Sequence, residues 1–257
     1  MTAQDGAIVS LRGVSKTFDN GTTAIDGLNF EVSAGEFVSL LGPSGCGKST
    51  ALRIIAGLSE ASRGDVVSPS QQSGAADQIG FVFQDPTLLP WATVTDNVLL
   101  PFTLRAAVDA QPQLSVAEAL SRVGLADFAD AFPRELSGGM RMRAAIARAL
   151  VTKPRLLLMD EPFAALDEIT RFKLNNDLLS VWHHMRGTVV FVTHSVFESV
   201  FLSQRILVMT PRPGRIFTEV DIPAPYPRDE RFRTSAEYAG YCRRVSEALG
   251  HAMGAGP

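Results

Sequence analysis

The chain has 257 residues, 46% of them hydrophobic and 20% charged, a length that supports one well-buried domain with room for a small subdomain. It carries 24 Lys and Arg against 27 Asp and Glu, a net charge of -3, which leaves no general basic footprint for nucleic acid. Two cysteines, Cys46 and Cys242, are too few for a disulfide framework or a metal cluster and fit a reducing compartment. No apolar run approaches the roughly 18 residues a membrane span needs. The first six residues have neither a basic nor an apolar leader region. A cytosolic protein is expected, recruited by a partner if it works at a membrane.

Residues 8–11 and 28–32 read as strands, with a turn at Asp19-Asn20-Gly21 between them. Phe18 precedes that turn. It reads as a core aromatic or, alternatively, as a ring on which an adenine stacks. Residues 36–41 form a short apolar run, read as a buried strand. Then comes Gly42-Pro43-Ser44-Gly45-Cys46-Gly47-Lys48-Ser49-Thr50, followed by 51–58, read as a helix ended by Gly57. Strand, Gly-rich turn, Lys-Ser and helix are the context of a phosphate-binding P-loop. Its glycines let successive N–H groups face inward, and the helix N-terminus adds to that field. Lys48 then reaches the β- and γ-phosphates, and the Ser49 hydroxyl ligates Mg²⁺. Cys46 reads as a tolerated small residue within the loop.

Residues 64–67 read as a strand and 68–77 as a surface loop. Residues 79–83 read as a buried strand ending at Gln84. The stretch after it, with Pro86 and Pro90, cannot continue the strand and leaves Leu88, Leu89 and Trp91 on a loop. Apolar residues there mark a partner site or pack locally. Residues 95–132 look mostly helical, with capping-box spacing from Ser115 to Glu118. A helix follows Ser137-Gly138-Gly139, with Met140, Ala144, Ala147 and Val151 at helical spacing and Arg141, Arg143 and Arg148 off that stripe. Ser137 is a good N-cap, so this is either an ordinary capped helix or a second anion-receptive helix start.

Residues 155–159 are an apolar strand running into Asp160 and Glu161. Such strands belong in a parallel sheet covered on both faces, with ligands at their carboxyl ends. Asp160 would hold Mg²⁺, and Glu161, facing elsewhere, would polarise a water. Asp167 could cap the next helix, which carries Leu174, Leu178, Trp182 and Met185 on one face. Residues 188–193 are another buried strand, ending at His194. A helix at 196–202 and a strand at 205–209 follow. From Pro211 onward the prolines make the chain irregular. The 234–237 segment then reads as a capping box opening an amphipathic helix with Tyr238, Tyr241, Val245 and Leu249 on one face.

Across 8–220 the chain resembles the ATP-binding subunits of ABC transporters. The resemblance rests on the P-loop, Gln84, Leu136-Ser137-Gly138-Gly139-Met140, the strand ending in Asp160-Glu161, Ala165-Leu166-Asp167 and His194, in that order. The phrases Val82-Phe83-Gln84-Asp85-Pro86-Thr87-Leu88-Leu89-Pro90-Trp91, Met159-Asp160-Glu161-Pro162-Phe163 and Arg212-Pro213-Gly214-Arg215-Ile216 are similar to the nitrate, sulfonate and taurine importers. Met140 and Met142 stand where Gln is usual, and Ala164-Ala165 where Gly or Ser often occurs. None of these removes a group the chemistry needs.

The resemblance implies an α/β fold: a P-loop NTPase core, a mostly parallel sheet flanked by helices, with an antiparallel β subdomain and a helical subdomain at about 92–150 within 1–220. Residues 221–257 form a C-terminal extension. It implies an ATPase that energises uptake of nitrate, a sulfonate, taurine or a similar nutrient. Two copies form a head-to-tail homodimer around two ATP. Each site takes Phe18 as adenine stacker, the P-loop, Gln84, Asp160, Glu161 and His194 from one copy, and Ser137, Gly138 and Gly139 from the other. Gln84 also serves the metal, and Asp167 links the sites across the dimer. The 84–91 loop contacts a transmembrane permease subunit, and an extracytoplasmic solute-binding protein acts through it. That places the chain at the cytoplasmic face of the plasma membrane. The alternative is a soluble ABC ATPase acting on DNA or ribosomes, which the single cassette and mildly acidic balance disfavour. A GTPase would need an Asn-Lys-x-Asp element, and none is present.

Overall fold

The computed structural model describes residues 6–71, 78–104, 114–185 and 187–254, the side chain of His184 aside. The expected loop at 68–77, the helical stretch 95–132 and the first six residues fall partly outside these. The chain builds two sheets. In the smaller, β1 (Ala7–Thr17) lies between β2 (Thr23–Ser33) and β4 (Arg63–Val67), both antiparallel to it. The two long strands run several residues beyond the expected ones. Ser15 and Asn29 make that possible, because their side chains bond backbone N–H groups at Gly27 and Gly13, where the register shifts.

The larger sheet has the order β5-β6-β7-β3-β8-β9. Five strands are parallel: β5 (Ile79–Val82), β6 (Leu156–Asp160), β7 (Thr188–Thr193), β3 (Phe37–Leu41) and β8 (Arg205–Met209). Their alternate residues serve two separate cores. Val38, Leu40, Leu158, Val190 and Leu207 face helix α1 (Lys48–Ile55) and the small sheet. Phe37, Leu41, Met159, Phe191 and Val208 face the opposite way, in the core shared with the remaining helices. Both faces are covered, so period-two polarity is lost and the strands read as continuous apolar runs.

Helices α2 (Val94–Thr103) and α3 (Val116–Arg122) pack on α4 (Gly138–Leu150). The Ser115–Glu118 capping box forms, and a second one, Thr93 with Asp96, opens α2. α4 is buried over more than the expected stripe: Met142, Ala145, Ile146, Ala149 and Leu150 are covered as well. It contacts α2, α3, β5 and α5 (Glu168–Met185), so no broad face is left to solvent. Its arginines find partners at the margin. Arg143 pairs with Asp177 at 2.6 Å, and Arg148 bonds the Pro86 and Thr87 carbonyls at 2.7 and 2.9 Å.

The region after Pro211 differs from its expected irregularity. β9 (Ile216–Asp221) pairs antiparallel with β8 at the sheet edge. Prolines flank this strand without entering it, and an edge needs only one ladder of hydrogen bonds. The capping expected at 234–237 moves by one residue. The Thr234 hydroxyl donates back to the Glu230 carbonyl, closing a short helix α7 (Glu230–Arg233), and Ser235 accepts from Tyr238 N to open α8 (Ala236–Gly254). α8 packs Tyr238, Cys242 and Val245 onto α6 (Val196–Leu202), β8 and β9. Buried Arg228 fastens the approach, donating to five backbone carbonyls: Val200, Phe201, Ser203, Ile222 and Ala224.

Candidate functional site

The parallel topology brings three strand ends together. β3 runs into Gly42, its neighbour β7 ends beside His194, and β6, next to β7, ends at Asp160. The 42–50 loop curls over these ends with Gly45 at φ +75° and Gly47 at φ +104°. At Gly47 a side chain is excluded, since a Cβ would come within 2.5 Å of Ile25 Cγ2 and 2.7 Å of the Ala24 carbonyl oxygen. α1 starts at Lys48, earlier than the helix expected from residue 51, and Gly47 offers no side-chain cap. The first N–H groups of α1 are therefore free for an anion.

The charged groups beneath the loop are tightly grouped. The Lys48 ammonium, buried, donates to the Gly42 and Pro43 carbonyls at 2.9 and 3.0 Å and lies 3.4 Å from Glu161 Oε1. The other Glu161 oxygen, Oε2, is 3.0 Å from His194 Nδ1. Ser49 donates to Asp160 at 2.7 Å. Burial raises the Asp160 carboxyl above its ordinary range, partly offset by the Ser49 bond. Glu161 departs from the expected rationale. It sits past the end of β6 with φ +44°, so this unusual backbone, not strand alternation, aims its carboxylate at Lys48 and His194.

A cleft of about 320 Å³ opens above these groups, lined by Phe18, Thr22, Gly45, Lys48, Ser49, Thr50, Glu161 and Arg212 among others. Phe18 is 43% exposed, so it is not a core aromatic; it forms a wall of the cleft. A cleft with a Gly-rich floor, a cation, a paired hydroxyl and carboxylate, and a carboxylate hydrogen-bonded to an imidazole can hold a polyphosphate and activate a water.

Other expected site residues lie apart from it. Gln84 is exposed on the loop after β5 and is not among the residues lining the cleft. Ser137 is exposed and caps α4 by accepting from Met140 N, with Gly138 half-buried and Gly139 buried behind it. Asp167 accepts from Thr170 N at the start of α5, and that bond holds its carboxyl below the usual range. These three places do not join the cleft within one chain.

Sequence reasoning missed two positioning residues. Asn97, fully buried on α2, bonds Leu89 N through its Oδ1 and the Leu89, Ala92 and Thr93 carbonyls through its Nδ2, which fixes the 89–93 loop. Leu88 and Leu89 are thereby half-buried, while Trp91 stays 75% exposed. Arg171 ties the 162–167 loop to α6: it donates to the Leu166 carbonyl at 3.0 Å and pairs with buried Glu198 at 3.4 Å. Neither stood out in the sequence: Asn97 follows Thr95 and Asp96, and Arg171 lies between Thr170 and Lys173, so each reads as one more polar position of its helix.

Comparison with known proteins fits this geometry. The ABC transporter family model matches residues 25–164. A Brucella abortus biovar 1 ATP-binding protein is 46% identical over 232 residues, 90% of this chain and 89% of its own length. The aliphatic sulfonates import ATP-binding protein SsuB of Bacillus cereus is 41% identical over 226 residues, 86% of this chain and 89% of its own. A solved ATP-binding cassette, MJ0796, in a dimeric post-hydrolysis state bound to ADP and Pi, superposes with a TM-score of 0.72 at 35% identity, covering 84% of this chain and 100% of that one. The chain belongs to the ABC transporter family. Within that family it is of the ATP-binding, ATP-hydrolysing kind, and none of its described helices is long and apolar enough to cross a membrane.

Proposed function

We propose that this chain energises uptake of a small solute, an aliphatic sulfonate or a similar nutrient such as nitrate or taurine, through a separate permease subunit. The observation that carries this reading is the 41% identity, over most of both chains, to a relative named for sulfonate import. The rival, a soluble ATPase serving DNA or ribosomes, has no feature of the fold in its favour.

In the proposed mechanism the 42–50 backbone and the α1 N-terminus cradle the phosphates, Lys48 supplies a cation to them, and Phe18 stacks the adenine. Glu161 orients and deprotonates the attacking water; His194 positions that carboxylate and contacts the terminal phosphate. Mg²⁺ fits the chemistry of the donors at this strand end. The Ser49 hydroxyl and Asp160 carboxylate are hard oxygen ligands, and a few protein oxygens with water and phosphate completing the shell is the usual Mg²⁺ arrangement. Ser49, Asp160 and, from its loop, Gln84 would hold it; when bound it neutralises charge on the phosphates.

A second copy completes each site with Ser137, Gly138 and Gly139, and Asp167 bridges between sites. Support comes from the outward-facing start of α4 and from the dimeric state of the cassette MJ0796. The loop with Gln84 and exposed Trp91 docks on the permease, to which an extracytoplasmic binding protein delivers solute. The chain thus works peripherally, at the cytoplasmic face of the membrane.

The test is to purify the chain from gently solubilised native membranes and identify its companions by mass spectrometry. A polytopic membrane protein is the expected companion, and one that is lost with Trp91→Ala. Ribosomal or DNA-repair proteins without a membrane protein would overturn the reading.

A further inference from the structure

Two cations face the cleft, and they differ in what already holds them. Lys48 is buried, bonded to two carbonyls and paired with Glu161. Arg212 is exposed and reaches the cleft from the turn between β8 and β9, far from the P-loop in sequence. Its Nε donates to the Gly45 carbonyl at 3.2 Å. Among the described residues, no carboxylate lies within ion-pair distance of it. A guanidinium has five N–H donors, and those on its two terminal nitrogens have no acceptor among the described residues.

The turn that carries Arg212 is fastened at several points. Gly214 N donates to the Ala24 carbonyl at 2.9 Å, and Asp26 N donates to the Gly214 carbonyl at 3.0 Å. Arg215 pairs with Asp26 at 2.6 Å. Gly214 lies so close to the P-loop that a Cβ would come 2.0 Å from the Cys46 carbonyl oxygen. Thr210 bridges the turn internally, donating to the Pro213 carbonyl and accepting from Arg215 N. A surface arginine on a loose loop loses much of its binding energy to ordering; here the backbone that presents it is already fixed.

We infer that Arg212 is a nucleotide-binding residue, a forked donor from the β8–β9 turn that grips the polyphosphate beside Gly45. The inference rests on reading the cleft as the ATP site. Guanidinium–phosphate pairs are charge-assisted and directional, which suits a group with unused parallel donors. The Gly-rich loop to which Arg212 is bonded, at Gly45, is one whose backbone N–H groups cradle the α- and β-phosphates. Arg212 therefore acts on ATP and ADP alike and differs from a group that reads the terminal phosphate. It also makes the β8–β9 turn a wall of the site, so an element outside the P-loop reports on nucleotide.

The test is calorimetric titration of the purified full chain with ATP, ADP and AMP in the presence of Mg²⁺. Arg212→Ala is expected to weaken ATP and ADP by about tenfold each. AMP should change much less, and the melting temperature without nucleotide should stay close to that of the parent. Arg212→Lys, which keeps the charge and loses the fork, should recover part of the affinity. Unchanged ATP affinity in Arg212→Ala, or a loss equal for all three nucleotides with a lowered melting temperature, would overturn the inference in favour of a purely structural bond to Gly45. Lys48→Ala run in parallel separates the two levels. If neither variant changes ATP affinity, the reading of the cleft itself fails; if only Lys48→Ala does, the cleft stands and the role of Arg212 falls.

Discussion

Two helix starts in this molecule are chemically alike and structurally opposite. The α1 start is enclosed: Ser49 bonds Asp160 at 2.7 Å, Glu161 meets Lys48 at 3.4 Å and His194 at 3.0 Å, and a cleft lies above. The α4 start is bare. Ser137 is exposed, and its hydroxyl is occupied in capping its own helix. In the proposed dimer this start is half a site, completed by a second copy of the chain. Within one chain a strut joins the two starts. Arg171 connects Leu166, which lies against Gly138, to Glu198, and Glu198 accepts from Thr193 at the end of β7 beside His194.

The contrast can be broken most severely at the enclosed start. Glu161→Gln keeps the shape of the side chain and removes the base. Turnover should fall by about 100-fold or more while ATP affinity is kept, and ATP should trap a stable dimer on size-exclusion chromatography. Near-normal turnover would remove Glu161 from the base role. At the bare start, Ser137→Ala should cost about 1 kcal/mol of cap energy in thermal unfolding. It should leave ATP affinity of the isolated chain unchanged while weakening ATP-driven dimerisation. Equal loss of affinity and dimerisation would erase the distinction between the two starts.

The smallest effect concerns the strut. Burial raises the Glu198 carboxyl above its ordinary value, with the Thr193 bond and Arg171 opposing. A carboxyl raised in the folded state favours folding when protonated. Its contribution is full below the ordinary value of 4.5 and is lost as pH rises through the raised one. The parent should therefore lose melting temperature relative to Glu198→Gln as pH goes from about 4 to about 8. Parallel profiles for the two proteins would show that this carboxyl does not titrate with folding.

Much of the enclosed start was legible in the chain because its chemistry is local. Nine consecutive residues carry the P-loop, and the buried strands around it announce themselves by losing their alternation. Family likeness picked out the α4 start, though capping alone could not distinguish it from any other helix. The backbone at Glu161 was not legible, since nothing in Asp160-Glu161 specifies a positive φ; the loop it enters and the Val192 carbonyl that accepts from its N–H impose it. Arg212 was visible only as part of a subfamily phrase. Its place depends on a turn docking against Ala24 and Cys46, contacts that span most of the chain. β9 was hidden by the prolines on either side, and Asn97 and Arg171 by lying within helices whose pattern they barely disturb.

The carbonyl cage around Arg228 bears on how this chain can change over generations. Three of its acceptors lie at the end of α6 and two lie only six and four residues before it, at Ile222 and Ala224. The span from β9 to Arg228 is thereby metered: an inserted or deleted residue there would carry the guanidinium out of register and leave five buried oxygens without donors. Length variation among descendants should therefore gather elsewhere on the surface, while this stretch, rich in proline and outwardly a linker, keeps its count.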